Sequence, residues 1–493
     1  MNTAVKTVLP YPRPDVEAAL VQQERRRELH RPSLAGTGIF VIGLLLTAVS
    51  LHGATASGVA RYAAIGCGVS LAFSLVLELR SGAANLLRAD LVAMFALYFL
   101  LFFEFLFPQG KFDELVPYAD AISPGVQMSL LAFAGIAIGR HLVSPRLAKW
   151  SFVNAQLSSR GILILFWISV AIGYFHMLLA VNFSPLTMID EFMGPRFSQD
   201  WAREQFGDWK AMLTELGAMI YLVPPLAGVI LSRRKSYSAI SLLFVLAAFL
   251  LTLFYGFSTG TRNIIASYLI TFLAAYFYSS AASRRQMIVL CTLGCAILLF
   301  ATYYELKFRE VGLRNYLQGW VPEQTNEEEE TTLYVDYNLY IVTALVNIFP
   351  NQAPYIGWQG PLWLVARPIP RVLWPGKPDG SAVSVENVFG VEYVTLSATF
   401  VGEAYMIAGL LGVVVGSLLI GMGAQYWTQK AFSKTSNFGV LIYGSGFLAL
   451  VISMRSIYWL PVAILPTLGA AVVGGFLART QQTPILSGWL QAG

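Results

Sequence analysis

Apolar runs of about twenty residues recur along this chain from Leu34 to Leu477, and that recurrence decides most of what the chain can become. A run of that length crosses the roughly 30 Å hydrocarbon core of a bilayer as a helix, with its backbone polar groups satisfied internally. Only 12% of the 493 residues are charged and 56% are hydrophobic, far from the roughly 25% charged composition of a soluble globular protein. The expectation is an all-α integral membrane protein with about 12 transmembrane helices. Windows fall at 34–51, 59–79, 89–107, 122–140, 161–181, 215–231, 239–256, 263–280, 286–304, 399–421, 438–453 and 457–477.

Lys and Arg distribute unevenly between the connecting loops. Arg80 with Arg88, the group Arg140, Arg146, Lys149 and Arg160, Arg233-Arg234-Lys235, Arg284-Arg285, Lys430 with Lys434, and Arg479 all fall on one side. So does the N-terminal Arg25-Arg26-Arg27 cluster. Bases near short loops are retained in the cytoplasm, so both termini are expected there. The net charge of +5 thus reports topology; it is no footprint for nucleic acid. The resulting division is a cytoplasmic polar tail at 1–33, nine spans over 34–304, a large outer loop at 305–398, three spans over 399–477 and a cytoplasmic tail at 478–493.

A second outer segment runs from Asn182 to Thr214. The larger one carries six bases against eleven acids, including Glu327 to Glu330, which read as a solvated surface. Within it, Leu339 to Phe349 is apolar but too short to span, as an interfacial or re-entrant helix would be. Cys67, Cys291 and Cys295 lie inside apolar runs and read as packing residues, so neither a disulfide framework nor a metal site is expected. No Walker loop, dinucleotide fingerprint or HExxH is present, and no cofactor is expected.

The remaining signal lies in ionisable residues close to the outer membrane edge, where charge is costly and so points to function or pairing. Arg262 follows Gly256-Phe257-Ser258-Thr259-Gly260-Thr261 and opens the next helix, where a guanidinium and backbone N–H groups together suit a phosphate; an interfacial arginine among headgroups is the plainer alternative. Arg455, between the last two spans, repeats the situation. In Arg367-Pro368-Ile369-Pro370-Arg371-Val372-Leu373-Trp374-Pro375-Gly376-Lys377-Pro378, prolines stiffen a segment holding three bases. Arg367 and Arg371 can each grip phosphate in a fork, Lys377 adds a point charge, and Trp374 offers a face for a sugar ring. Glu403, about five residues inside the tenth window, needs either a basic partner or a wet cavity, where it could take a proton from an attacking hydroxyl. Gly409, Gly412, Gly416 and Gly421 after it read as close helix packing, Gly412 and Gly416 in small-xxx-small spacing.

Arg262 in Ser-Thr-Gly-Thr-Arg-Asn, the segment Pro370-Arg371-x-x-Trp374-Pro375-x-Lys377-Pro378, and Glu403-x-Tyr405-x-x-x-Gly409-x-x-Gly412 together resemble the bacterial oligosaccharide repeat-unit polymerases, the Wzy-like O-antigen polymerases. The resemblance covers roughly Gly256 to Gly421. It implies a GT-C-like glycosyltransferase in the bacterial inner membrane that joins undecaprenyl-diphosphate-linked repeat units at the outer face. Arg262, Arg371 and Glu403 would be catalytic, and Arg367, Lys377, Trp374, Arg455 and Tyr405 would bind substrate. Membrane lipids, a flippase and a chain-length regulator are the implied partners. Two other readings stay open. The related O-antigen ligases typically use an outer-loop histidine, and none of His30, His52, His141 and His176 lies in the large loop; a transporter or flippase of lipid-linked glycans would also use wet arginines.

Overall fold

The computed structural model describes residues 32–143, 157–195, 198–201, 216–280, 283–308, 311–319, 337–369, 396–432 and 436–480, together with residues 213, 374 and 376. The N-terminal cluster, Arg146, Lys149, the run Glu327 to Glu330, Arg371 and Lys377 lie outside the described residues.

Among the described residues the chain is all-helical, with no strand. The helices are α1 (Leu34–Val49), α2 (Ala56–Arg80), α3 (Ala89–Leu101), α4 (Ser123–Gly139), α5 (Ser159–Ala180), α6 (Pro185–Phe192), α7 (Val223–Ser232), α8 (Ala239–Ser258), α9 (Arg262–Ser279), α10 (Arg284–Phe308), α11 (Leu313–Leu317), α12 (Asn338–Ile348), α13 (Gln359–Ala366), α14 (Thr399–Phe432), α15 (Asn437–Arg455) and α16 (Leu465–Thr480). Local chemistry sets many of their starts. Ser33, Thr55, Ser158, Ser184, Ser238 and Ser436 each accept an N–H three residues on, closing the first turn of α1, α2, α5, α6, α8 and α15. Inside the helices, hydroxyls such as Ser129, Ser169, Ser267 and Thr271 donate back to the carbonyl four residues earlier, so they carry no unmet bond into the apolar interior.

Among the described residues, eight helices are long and apolar enough to cross a membrane, including Ala56–Arg80, Thr399–Gln429 and Asn437–Arg455, and four further apolar helices are shorter: Leu34–Val49, Ala89–Leu101, Gly217–Ser232 and Asn338–Ile348. Large apolar side chains stay exposed along them, for example Leu45 and Leu46 on α1, Leu243 and Phe244 on α8, and Val472 and Phe476 on α16. Exposed apolar surface on this scale marks contact with lipid. The chain is therefore read as a multi-pass membrane protein. Its central post is α15, of which 89% is buried.

Helices α4 and α14 approach through small residues. A Cβ added at Gly135 or Gly139 would collide with Ser417 and Leu418, and one at Gly421 with the Ile136 carbonyl. Of the glycines expected to pack closely, Gly421 does so together with Ser417, whereas Gly412 lies against the Ala404 carbonyl of its own helix.

The loop-charge reading needs one correction at the end opposite the long loop. Arg88 and Arg140 are not loop charges in water but are almost fully buried. Arg88 Nε lies 3.0 Å from Asp90 Oδ1; Arg140 reaches Asp90 Oδ2 and Glu78 Oε1, each at 2.9 Å. Arg140 also donates to Thr37 Oγ1, and Arg88 to Gln425 Oε1. Two cations and two anions cancel, so α1, α2, α3, α4 and α14 are tied by a neutral buried network.

The short apolar stretch of the long loop forms α12. It sits inside the bundle against α4 and α14: Leu339, Val342, Thr343 and Leu345 are buried, and Gly125 makes room for Thr343.

Candidate functional site

At the long-loop end, α14 breaks. Ala408 (φ −154°, ψ 27°) and Gly409 (φ 60°, ψ −141°) leave helical geometry in mid-span, a backbone that favours glycine. A Cβ at Gly409 would also strike the Tyr355 hydroxyl. Carbonyls before the break lose their helical partners, and the long loop supplies replacements: Ile356 N–H donates to Met406 O at 2.9 Å and Gly357 N–H to Ile407 O at 3.0 Å. The docked loop then turns into α13, which Arg367 caps at its C-terminus.

Glu403 lies one turn into α14 and is 6% exposed. Its Oε1 accepts from Ser456 Oγ, and its Oε2 accepts from Ile457 N–H at 2.6 Å. A carboxylate at the head of the short Ile457–Trp459 turn satisfies orphan N–H groups. Arg367 completes the group, since its guanidinium carbon sits 3.8 Å over the Trp459 ring and its charge acts on Glu403. Stacked so closely, the cation is held flat. Tyr458, 7% exposed, has a hydroxyl beside Gly360 with no partner among the described residues.

Arg455 ends α15 immediately before Ser456, and its carbonyl accepts from Ser397 Oγ at 3.1 Å. Tyr405, half-buried, has its hydroxyl 3.5 Å from the Phe349 carbonyl, at the limit of a hydrogen bond, and its ring 6.2 Å from Tyr355. Glu403, Arg367, Arg455 and Tyr405 are thus brought to one helix end by α13, α14 and the turn after α15. Arg262 opens α9 at the same end, its guanidinium carbon 5.8 Å from the Phe99 ring centroid. At 7% exposure it is buried between helix ends rather than spread among headgroups. Trp374 is 38% exposed, while Arg371 and Lys377 fall outside the described residues.

Trp459, Tyr458, Ser456 and Tyr355 were missed by the sequence reading. For Ser456, Tyr458 and Trp459 the one signal was closeness to Arg455, and nothing linear connects them, or Tyr355, to Glu403 about fifty residues away.

A flat guanidinium beside a carboxylate-capped turn, with an indole and phenols around it, is suited to an anionic group attached to a polar ring: the cation forks onto phosphate oxygens and the aromatic faces pack on C–H surface. Comparison of the chain with known protein families, characterised proteins and solved structures finds no match.

Proposed function

We propose that this protein is a polytopic glycosyltransferase, GT-C-like in organisation, that joins undecaprenyl-diphosphate-linked oligosaccharide repeat units at the outer face of the bacterial inner membrane. The observation that carries the reading is Arg367, stacked on Trp459 and electrostatically coupled to Glu403, where the broken α14 receives the long loop. In this reading the eight long apolar helices, the shorter α1, α3 and Gly217–Ser232, and α9 make twelve crossings. Both termini are then cytoplasmic, the long loop is outside, and α12 is a re-entrant insert.

The reaction needs little beyond charge stabilisation and positioning. An acceptor sugar hydroxyl oxygen bonds to the anomeric carbon of the lipid-linked chain, the bond from that carbon to the phosphate oxygen breaks, and the lipid diphosphate leaves with the electron pair. Arg367, with Arg262 and Arg371 as further cations, offsets the charge growing on the diphosphate. Glu403 already accepts from Ser456 and Ile457, so its first role is to position the Arg367–Trp459 pair; to take the hydroxyl proton as well, it would release Ser456.

The test is incubation of the protein in nanodiscs with a synthetic lipid-diphosphate oligosaccharide, without ATP, and products read as a ladder on a gel. A ladder is expected, and Arg367→Ala should lower turnover by about tenfold or more, since a charge-assisted contact is worth roughly 1.5 to 3 kcal/mol. Glu403→Gln places an amide where two donors converge. It should reduce folded yield and turnover together if the carboxylate positions, and turnover alone if it is the base. Transbilayer movement of the lipid with no glycosidic bond formed would instead support a flippase, the second reading, which is favoured by the mid-span break of α14 because transporters bind substrate at broken helices.

A further inference from the structure

Beneath α6, four tyrosines from four elements come together: Tyr174 of α5, Tyr221 of the Gly217–Leu222 turn, Tyr255 of α8 and Tyr268 of α9. Tyr255 and Tyr268 are each electrostatic neighbours of the other three, and the rings of Tyr221 and Tyr268 lie 5.4 Å apart. Tyr174 and Thr252 share a hydrogen bond of 2.9 Å. Tyr268 is wholly buried, and its hydroxyl has no partner among the described residues. Gly256 gives that ring its place, since a Cβ there would come within 2.7 Å of it.

The roof is α6. Its Phe192, 1% exposed, sets its ring 4.8 Å from Tyr255, 6.5 Å from Tyr174 and 5.8 Å from Trp201. One residue of the long loop pins this roof: Arg314 donates its backbone N–H to Met193 O at 2.9 Å, its guanidinium to Asp190 O at 2.8 Å, and pairs with the Asp190 carboxylate. That pair is 40% and 53% exposed, and an ion pair so open to solvent holds weakly. The charged part of the fastening is therefore weak, and what α6 must release to lift is the Arg314–Met193 backbone hydrogen bond and the burial of Met188 and Phe192.

Aromatic faces with phenol hydroxyls between them match a neutral ring bearing hydroxyls. C–H surface packs on the tyrosines while the Tyr268 hydroxyl finds the partner that the chain does not give it. We propose that this compartment is a binding site for an uncharged sugar unit, with Phe192 holding the place of the sugar ring until α6 lifts. The choice of a sugar rests on the glycosyltransferase reading; the compartment itself does not.

The test places a cysteine at Met188, buried on the underside of α6, in full-length protein whose native cysteines are replaced by alanine. A membrane-impermeant maleimide then reports lifting in nanodiscs. The probes are a panel of free neutral tri- to hexasaccharides of hexoses and N-acetylhexosamines, with geranyl diphosphate as the charged control. At least one oligosaccharide should speed labelling about threefold or more, because a ligand that binds only the lifted state shifts the population toward it. Arg314→Ala should raise the rate without sugar. Tyr268→Phe, which keeps the ring and the fold, should abolish the sugar response and leave the unliganded rate unchanged. Labelling indifferent to every oligosaccharide, accelerated only by geranyl diphosphate, or equally sugar-responsive in Tyr268→Phe overturns the proposal. The two readings fail separately: a sugar response in protein that makes no polymer keeps the site and removes the polymerase, and polymer from protein with no sugar response does the reverse.

Discussion

Arg140 shows how little a residue's type says about its surroundings. Placed by sequence among cytoplasmic bases, it is buried with two carboxylates and a threonine around its guanidinium. Asp90 lies fifty residues before it and Glu78 sixty-two, distances that no local pattern can bridge. Removing one member of such a group leaves its partner charged and dry, which costs about 3 to 5 kcal/mol. Arg140→Leu and Asp90→Asn should therefore each lower the midpoint of thermal unfolding and the monodisperse yield, whereas Arg80→Ala, at an exposed position, should change neither. Neighbouring His141 adds a dependence on acidity. Burial, and then the charge of Arg140, hold its imidazole below its ordinary value of 6.5. Its Nε2 also sits 2.7 Å from Thr37 Oγ1, an oxygen that already accepts from Arg140. The folded state thus favours the neutral ring, and below 6.5 the unfolded chain binds more protons. The contribution of His141 is complete above that value and is lost as pH falls through the lowered one. Thermal midpoints from pH 7.5 to 5 should decline more steeply in the parent than in His141→Gln; equal slopes would remove the assignment.

Helices were legible where their signal is additive along the chain. Twenty apolar residues announce a span regardless of what they touch, and α12 was legible as too short to cross for the same reason. The break in α14 was not, because Gly409 sits in an apolar run beside other glycines and its meaning depends on Ile356 and Gly357, which come from another loop. The candidate site divides in the same way. Glu403 and Arg367 stood out as charges at a membrane edge, but Trp459 became their neighbour only through the turn after α15. Gly409→Ala tests the element directly. It forces a side chain into a conformation that costs about 1 to 3 kcal/mol and against Tyr355. The expected result is faster hydrogen exchange at the amides of Ile356 and Gly357 with the α15 core still protected, measured by mass spectrometry on the intact protein.

At the scale of the whole molecule, the reading stands on orientation. A cysteine replacing Glu328 should react with an impermeant maleimide in intact cells, and one replacing Arg234 only after the membrane is opened; the opposite pattern would invert the topology. The division of α14 bears on how such a molecule meets a changing bilayer. Its stretch beyond Gly409 is clamped backbone to backbone against α4 through Ser417 and Gly421, whereas Thr399 to Ile407 is hydrogen-bonded to the long loop. When lipid composition or temperature alters membrane thickness, α4 and the clamped stretch can tilt together to match it. The glycine joint absorbs the angle, and the segment bearing Glu403 keeps its station with the loop. Because α12 packs on both α4 and α14, the long-loop end is the pivot of such a tilt, and the opposite end of the bundle takes up most of the movement.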